Sequence, residues 1–140
     1  MLGPLRWTEQ YIRIPFANSG FTKMGCHCWG LVCLVYKREL KIELPKYDTI
    51  TADQIRHMLR AKDEQIVSGN WGPVAKDDLR PFDVVTMKGK DEKGHLIERH
   101  VGLYAGNGYI LHIEEGTDSK CDSVQDPLFT GRILRSFRYA

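Results

Sequence analysis

The sequence predicts an α+β domain in which N-terminal helices pack on an antiparallel β-sheet. An apolar, helix-like segment follows residue 28 and a second helical pattern covers residues 52–66, whereas apolar and polar residues alternate with a period of two from Pro81 onward. Because the helices precede the strands instead of alternating with them, we expect an antiparallel meander. The 140 residues fit a single domain, predicted over residues 1–140.

Two helices are predicted in the first half of the chain. Residues 31–36, Leu-Val-Cys-Leu-Val-Tyr, are apolar on all sides, and the charged residues 37–39 follow them. This pattern indicates a buried helix whose far end reaches solvent. Residues 51–54, Thr-Ala-Asp-Gln, match a capping box, and apolar residues then recur at near-helical spacing, so the second helix is predicted over residues 52–66.

Strands dominate the second half, and polar segments rich in glycine or charge separate them. Loops are expected at residues 18–25, 68–79 and 88–94. Strands are expected at residues 82–87, 96–104, 109–113 and 133–139.

Composition argues against a nucleic-acid partner and against a membrane span. The 20 basic and 18 acidic residues give a net charge of +2, and the basic residues are scattered along the chain. No apolar stretch approaches the roughly 18–20 residues that cross a bilayer. The N-terminal residues lack the pattern of a secretory signal, so a target outside the cytoplasm requires another delivery route.

The four cysteines are Cys26, Cys28, Cys33 and Cys121. The spacing of the first pair suits neither a comfortable disulfide nor the usual zinc knuckle, so we expect free thiols. A metal site formed by Cys26, His27 and Cys28 is an unfavoured alternative, because adjacent ligands point in different directions. No cofactor or metal is predicted.

Cys28 is the candidate nucleophile, because it lies where the loop meets the apolar helix. A helix N-terminus and a cationic imidazole lower the pKa of a thiol, and the backbone N–H groups there can hold an oxyanion. Cys26 precedes this position, Cys33 is expected to be a small core residue, and Cys121 is placed in a polar loop without a role. Taken alone, Cys28 is better interpreted as a buried structural thiol, because buried free cysteines are common, and it is the histidines that favour the catalytic interpretation.

Two histidines, His100 and His112, lie in consecutive predicted strands. A two-residue turn between these strands would put the two side chains on opposite faces of the sheet. A three-residue loop at residues 106–108 pairs Ala105 with Tyr109 and puts them on one face, as diagonal neighbours about 7–8 Å apart at the backbone. One imidazole could then accept the thiol proton while the second orients it. The other histidines, His27, His57 and His95, are expected in loops or on a helix surface.

These segments together resemble the NlpC-type cell-wall cysteine peptidases. The similarity rests on residues 28–32 (Cys-Trp-Gly-Leu-Val), residues 100–104 (His-Val-Gly-Leu-Tyr), residues 111–112 (Leu-His) and the strand at residues 81–85 (Pro-Phe-Asp-Val-Val). The resemblance implies a papain-like NlpC fold and a catalytic set of Cys28 as nucleophile, His100 as base and His112 as its orienting group. It further implies cleavage of amide bonds in peptidoglycan stem peptides, next to D-glutamyl.

The spacing Gly-Cys-x-Cys-(bulky)-Gly-Leu-Val is similar to the phage-tail, prophage and gene-transfer-agent branch of that family. This similarity implies tail proteins as partners, and an enzyme that is made in the cytoplasm, associates with a virion or tail and acts in the periplasm or cell wall. Three residues depart from the usual pattern. His27 stands where Asp is usual, Trp29 where Ser is frequent, and Phe16 where a tyrosine is common. Phe16 cannot donate the hydrogen bond of a tyrosine hydroxyl.

Two other functions remain open at this stage. One is a non-catalytic tail assembly or structural protein that retains the fold, which Phe16 and His27 favour. The other is a papain-like amidase toxin, because such enzymes share the same arrangement of thiol and histidine.

Overall fold

The structure is a computed structural model that describes residues 2–18, 20–44, 71–90 and 93–139. The helix predicted at residues 52–66, with its capping box, lies outside the described residues. None of the helices in the described ranges has the length and apolar character needed to cross a membrane.

A short helical segment and a hairpin precede the first α-helix. The 3-10 helix Arg6–Tyr11 leads to strands β1 (Phe21–Thr22) and β2 (Gly25–Cys26), which pair with each other. The loop predicted at residues 18–25 is therefore wrong in part, because Phe21, Thr22 and Gly25 lie in these paired strands. Helix α1 (Cys28–Val35) follows directly, and a π-helical turn (Tyr36–Leu40) ends it.

Helix α1 is buried along its entire length, as its sequence predicts. All eight residues are buried, whereas Lys37 and Arg38 beyond its end are exposed. The helix packs against β5 at the centre of the sheet and joins it in the main hydrophobic core. A helix that is apolar on every side can be stable only in such a position.

Six antiparallel strands form the main sheet, in the order β3-β8-β4-β5-β6-β7. Their bounds are β3 Trp71–Pro73, β4 Val84–Lys90, β5 Leu96–Tyr104, β6 Tyr109–His112, β7 Lys120–Ser123 and β8 Ile133–Tyr139. A one-turn helix, α2 (Pro127–Thr130), precedes β8. This is the α+β arrangement predicted, with an early helix packed on a later antiparallel sheet.

Two edge strands lie where the sequence predicts loops. Strand β3 pairs with β8 inside the loop predicted at residues 68–79, and β7 pairs with β6 and contains Cys121. The alternating pattern of a half-buried strand is missing from both β3 (Trp-Gly-Pro) and β7 (Lys-Cys-Asp-Ser). Each is an edge strand that is held by hydrogen bonds to a single neighbouring strand, so its own sequence does not indicate a strand. Strand β4 also runs on to Lys90, into the loop predicted at residues 88–94.

The turn between β5 and β6 has the three-residue register. The N–H of Ala105 donates to the carbonyl oxygen of Tyr109 at 2.8 Å, and Leu103 pairs with Leu111. Asn107 and Gly108 both have positive φ, which closes the loop. The alternative two-residue register is excluded, and the side chains of His100 and His112 share a face.

Candidate active site

Cys28 is the first residue of α1 and lies against β5. Its side chain is buried, with 1% exposed. Burial raises the pKa of the Cys28 thiol to about 12, although hydrogen bonds from the backbone of Val101 and Trp29 lower it. The expectation of a depressed thiol pKa is therefore wrong for this resting geometry, because the cost of burying a thiolate exceeds the gain from two N–H groups.

His27 caps the helix that carries the thiol. Its backbone is extended, and its Nδ1 accepts a hydrogen bond from the N–H of Gly30 at 2.8 Å. The imidazole is fully buried beside the ring of Phe21, and its Nε2 has no hydrogen-bond partner among the residues that the structure describes. His27 lies in the connection between β2 and α1, as predicted for a loop residue, but it is not on a surface, because this imidazole takes the N-cap role that Asp or Ser usually fills.

His100 and His112 form a buried, hydrogen-bonded pair. Nε2 of His100 lies 2.9 Å from Nδ1 of His112, and the ring centroids are 5.1 Å apart. His100 is on β5 immediately before Val101, whose backbone hydrogen-bonds to the Cys28 sulfur. Burial lowers the pKa of His100 to about 3, and burial also lowers the pKa of His112. Both imidazoles are therefore neutral at pH 7 in this state.

Asp122 completes the polar cluster and was not predicted from the sequence. Its Oδ2 lies 2.7 Å from Nε2 of His112, on the strand next to β6. Only the register of β7 against β6 could have indicated this residue. In that register Ile110 pairs with Asp122, which places the carboxylate near the end of β6. That register could not be predicted, because β7 has no apolar pattern of its own.

A second carboxylate, Glu114, lies just past β6. Its Oε1 is 3.8 Å from Nδ1 of His112, and Arg132 donates to both of its oxygens at 2.7 and 2.9 Å. Burial raises the pKa of Glu114, but the hydrogen bond and charge of Arg132, together with the two histidines, outweigh burial and lower the pKa to about 2. Glu114 thus adds a fixed negative charge beside the histidines.

The cluster of His100, His112 and Glu114 is compact enough to be considered as a metal site. Their ligand atoms lie within 4.8 Å of one another. However, the two facing imidazole nitrogens bond to each other, and Arg132 occupies the Glu114 oxygens. The donor set therefore fits a proton-transfer site better than a metal centre.

A small polar cleft of about 140 Å³ reaches His100 from the surface. Its walls carry charges of both signs, from Lys90, Arg99, Glu114 and Glu115. His100 is 5% exposed and so is the member of the histidine pair that this cleft reaches. A substrate with polar and charged groups suits these walls.

The remaining cysteines lie outside this cluster. None of the four cysteines, all of which lie in the described ranges, forms a disulfide, as predicted. Cys26 is fully buried beside Cys28, and burial raises its pKa to about 12. Cys33 is a core residue of α1, as expected, whereas Cys121 is half-buried on β7 and not in a loop.

Helix α1 begins at Cys28, and the later strands β5 and β6 carry the two histidines; comparison with known proteins identifies the family in which this order of elements belongs. The family model described as "NlpC/P60 family" matches residues 13–138. The chain belongs to the NlpC/P60 family. Family membership and the α+β fold are therefore established, whereas the roles of Cys28, His100 and His112 stay predictions.

Two curated relatives of this NlpC/P60 chain come from Escherichia coli. Murein DD-endopeptidase MepH is 29% identical over 73% of this chain and 32% of its own length. Murein DD-endopeptidase MepS/Murein LD-carboxypeptidase is 25% identical over 89% of this chain and 55% of its own length. The chain thus spans about a third of one relative and about half of the other.

A solved NlpC/P60 family protein from Bacillus cereus has the same fold. It superimposes with a TM-score of 0.62 at 21% identity, over 92% of this chain and 36% of the other. At this identity the comparison establishes the fold alone.

Proposed function

We propose that this NlpC/P60 chain is a cysteine hydrolase that cleaves amide bonds in peptidoglycan stem peptides. The observation that carries the proposal is the buried pair of His100 and His112 beside Val101, the residue whose backbone hydrogen-bonds to the sulfur of Cys28. The names of the two curated relatives, both murein endopeptidases, support the substrate class.

The mechanism needs one proton to move as the sulfur attacks. His100 accepts the Cys28 proton, and the sulfur electron pair forms a bond to the carbonyl carbon of the substrate. When the tetrahedral intermediate collapses, the C–N bond breaks and His100 returns the proton to the leaving amine. Water then hydrolyses the thioester by the same route. His112 holds the ring of His100 in place through these steps.

The start of α1 supplies donors for the developing oxyanion. His27 already uses two of the first N–H groups, since its side chain accepts from Gly30 and its carbonyl oxygen from Leu31 at 2.9 Å. The N–H of Cys28 and the N–H of Trp29 remain as donors for the substrate oxygen, and the Trp29 N–H, which bonds to the Cys28 sulfur in this structure, must turn from the sulfur to that oxygen. Phe16, whose backbone forms an isolated β-bridge with Cys26, adds no hydroxyl donor to this set.

Digestion of purified muropeptides tests the proposal. Wild-type protein is expected to release peptide products, Cys28→Ala none, and the matched control Cys33→Ala the same products as wild type. Cys33→Ala removes another buried thiol from the same helix, so it separates loss of the nucleophile from a packing defect. Equal products from wild type and Cys28→Ala, or none from either, would reject the hydrolase proposal for this substrate.

The product masses also identify the bond. We propose cleavage next to D-glutamyl within the stem, whereas the relatives' names describe D,D-endopeptidases. A cut within the stem and a cut of a cross-link give fragments of different mass, so one digestion distinguishes them. Association with a phage-like tail, and action in the periplasm or cell wall, belong to the same proposal, and co-purification with tail particles would test them.

A non-catalytic tail protein that retains the fold is the second candidate. It is favoured by the burial that raises the pKa of Cys28 to about 12, because a resting thiol is a poor nucleophile. Alkylation by iodoacetamide at pH 6–7 separates the two. A non-catalytic site predicts that Cys28 reacts no faster than a model thiol, whereas the hydrolase predicts a faster reaction that is lost in His100→Ala.

A further inference from the structure

A hydrogen-bonded path runs behind the proposed catalytic histidine. Asp122 Oδ2 lies 2.7 Å from Nε2 of His112, whose Nδ1 lies 2.9 Å from Nε2 of His100. The three side chains come from adjacent strands β7, β6 and β5, and both rings are buried. The path therefore runs from the edge of the sheet to the ring that faces the substrate cleft.

The carboxylate determines which nitrogen of each ring carries hydrogen. A carboxylate accepts hydrogen bonds and cannot donate them, so Nε2 of His112 must be protonated. Because burial lowers the pKa of both histidines, each ring is neutral and carries one N–H. Nδ1 of His112 is then an acceptor, and the hydrogen between the rings must belong to Nε2 of His100.

We propose that Asp122 is a positioning residue that fixes the tautomers of both histidines and leaves Nδ1 of His100 as the base for Cys28. This inference rests on the proposed function of the site and adds to it a residue and an atom. Without the carboxylate, the hydrogen bond between the rings could run in the opposite direction. His100 would then present Nδ1–H to the sulfur and could not accept its proton.

Only one proton moves in this scheme. The S–H bond of Cys28 breaks, its electron pair forms the bond from sulfur to carbon, and the proton binds Nδ1 of His100. The imidazolium keeps its Nε2–H bond to His112, and His112 keeps its Nε2–H bond to Asp122. The negative charge of Asp122 therefore stabilises the cation through a neutral ring, and Asp122 itself gains no proton.

The other charged groups around the pair do not replace this carboxylate. Glu114 lies 3.8 Å from Nδ1 of His112, beyond hydrogen-bond distance, and Arg132 binds both of its oxygens. Lys120 Nζ lies 3.6 Å from Asp122 Oδ2 and places a positive charge beside it. The ring of Phe129 also packs against the ring of His112, with centroids 5.2 Å apart, and adds no charge.

Tautomers can be measured in the wild-type protein, without any substitution. Two-bond proton–nitrogen correlation spectra of ¹⁵N-histidine-labelled protein at pH 7 are expected to show both His100 and His112 protonated on Nε2 alone. A wild-type His100 with hydrogen on Nδ1 would overturn the inference, whether or not the protein hydrolyses muropeptides. Absence of hydrolysis with the expected tautomers would instead reject the proposed function alone.

Substitution then measures the kinetic role. In Asp122→Asn and Asp122→Ala, the His100 spectrum is expected to show Nδ1–H, and kcat on a purified muropeptide to fall about 10²-fold with KM changed less than about threefold. The exposed carboxylate variant Asp118→Asn is the control and should match wild type. If an Asp122 variant that melts like wild type keeps both the tautomers and kcat, the assignment is wrong.

Discussion

Gly30→Ala tests how tightly the start of α1 is packed. A Cβ built on Gly30 would lie 2.0 Å from the carbonyl oxygen of Gly20 and 3.2 Å from Cβ of Cys26. The first distance is about 1 Å shorter than the 3.0 Å below which real Cβ atoms essentially never approach a neighbour. Because the obstructing atom belongs to the backbone, it cannot rotate away, and either the loop or the helix start must move.

Two opposing terms set the size of the effect. Alanine favours a helix interior over glycine by about 1 kcal/mol. Overpacking costs about 1–3 kcal/mol, and a backbone clash of this size belongs at the upper end of that range. We therefore expect Gly30→Ala to lower the free energy of unfolding by about 2 kcal/mol. This corresponds to a fall in Tm of roughly 6–8 °C for a chain of this size.

Urea unfolding followed by tryptophan fluorescence measures this difference. Gly131→Ala is the matched control, since nothing lies within 4 Å of its Cβ and its φ of −68° suits alanine. The control is expected to be neutral or more stable by up to about 1 kcal/mol. If Gly30→Ala is as stable as Gly131→Ala, the close approach of α1 to Gly20 is refuted.

Three further predictions concern the buried polar groups. Burial lowers the pKa values of His27, His100 and His112 below the 6.5 of an unfolded histidine, so the unfolded chain binds more protons. Stability should therefore fall below about pH 6.5, by up to about 1.4 kcal/mol per pH unit for each histidine, and an unchanged urea midpoint between pH 7.5 and 5.5 would contradict this. His27→Ala should lower the free energy of unfolding by about 2–3 kcal/mol, because the helix cap is lost and a cavity forms. His27→Asn should recover about 1 kcal/mol of this loss, because its side-chain oxygen can cap the helix. Urea titration of both variants tests this order. Arg132→Ala should lower the free energy of unfolding by about 2 kcal/mol, because Glu114 loses its hydrogen-bonded partner. A Tm equal to that of wild type would refute a stabilising role for this pair.

The histidine pair could be predicted from sequence because short-range rules determine it. A three-residue loop fixes the register of β5 and β6, and the alternation of side chains then fixes the shared face. The buried helix α1 could be predicted equally well, since a helix that is apolar on all sides is stable only in a buried position. These two elements were enough to identify Cys28, His100 and His112 as candidates.

Asp122 and the burial of His27 could not be predicted, because long-range pairing creates them. Strand β7 is polar and exists through its bonds to β6, so Asp122 has no strand signal of its own. His27 adjoins a glycine-punctuated loop, and nothing local indicates that its imidazole caps α1. The raised pKa of Cys28 also depends on how completely β5 covers the helix start. The expectation from sequence considered only the helix N-terminus and a nearby imidazole, so it did not include the effect of burial on the pKa.

Capture of the covalent intermediate tests the central claim most directly. Wild-type protein is mixed with excess muropeptide, quenched with acid within the first turnover and mapped by peptide mass spectrometry. We expect the mass of the acyl fragment on Cys28, none on Cys26 or Cys33, and no adduct in Cys28→Ala. Product release by Cys28→Ala, or an acyl group on another residue, would contradict it.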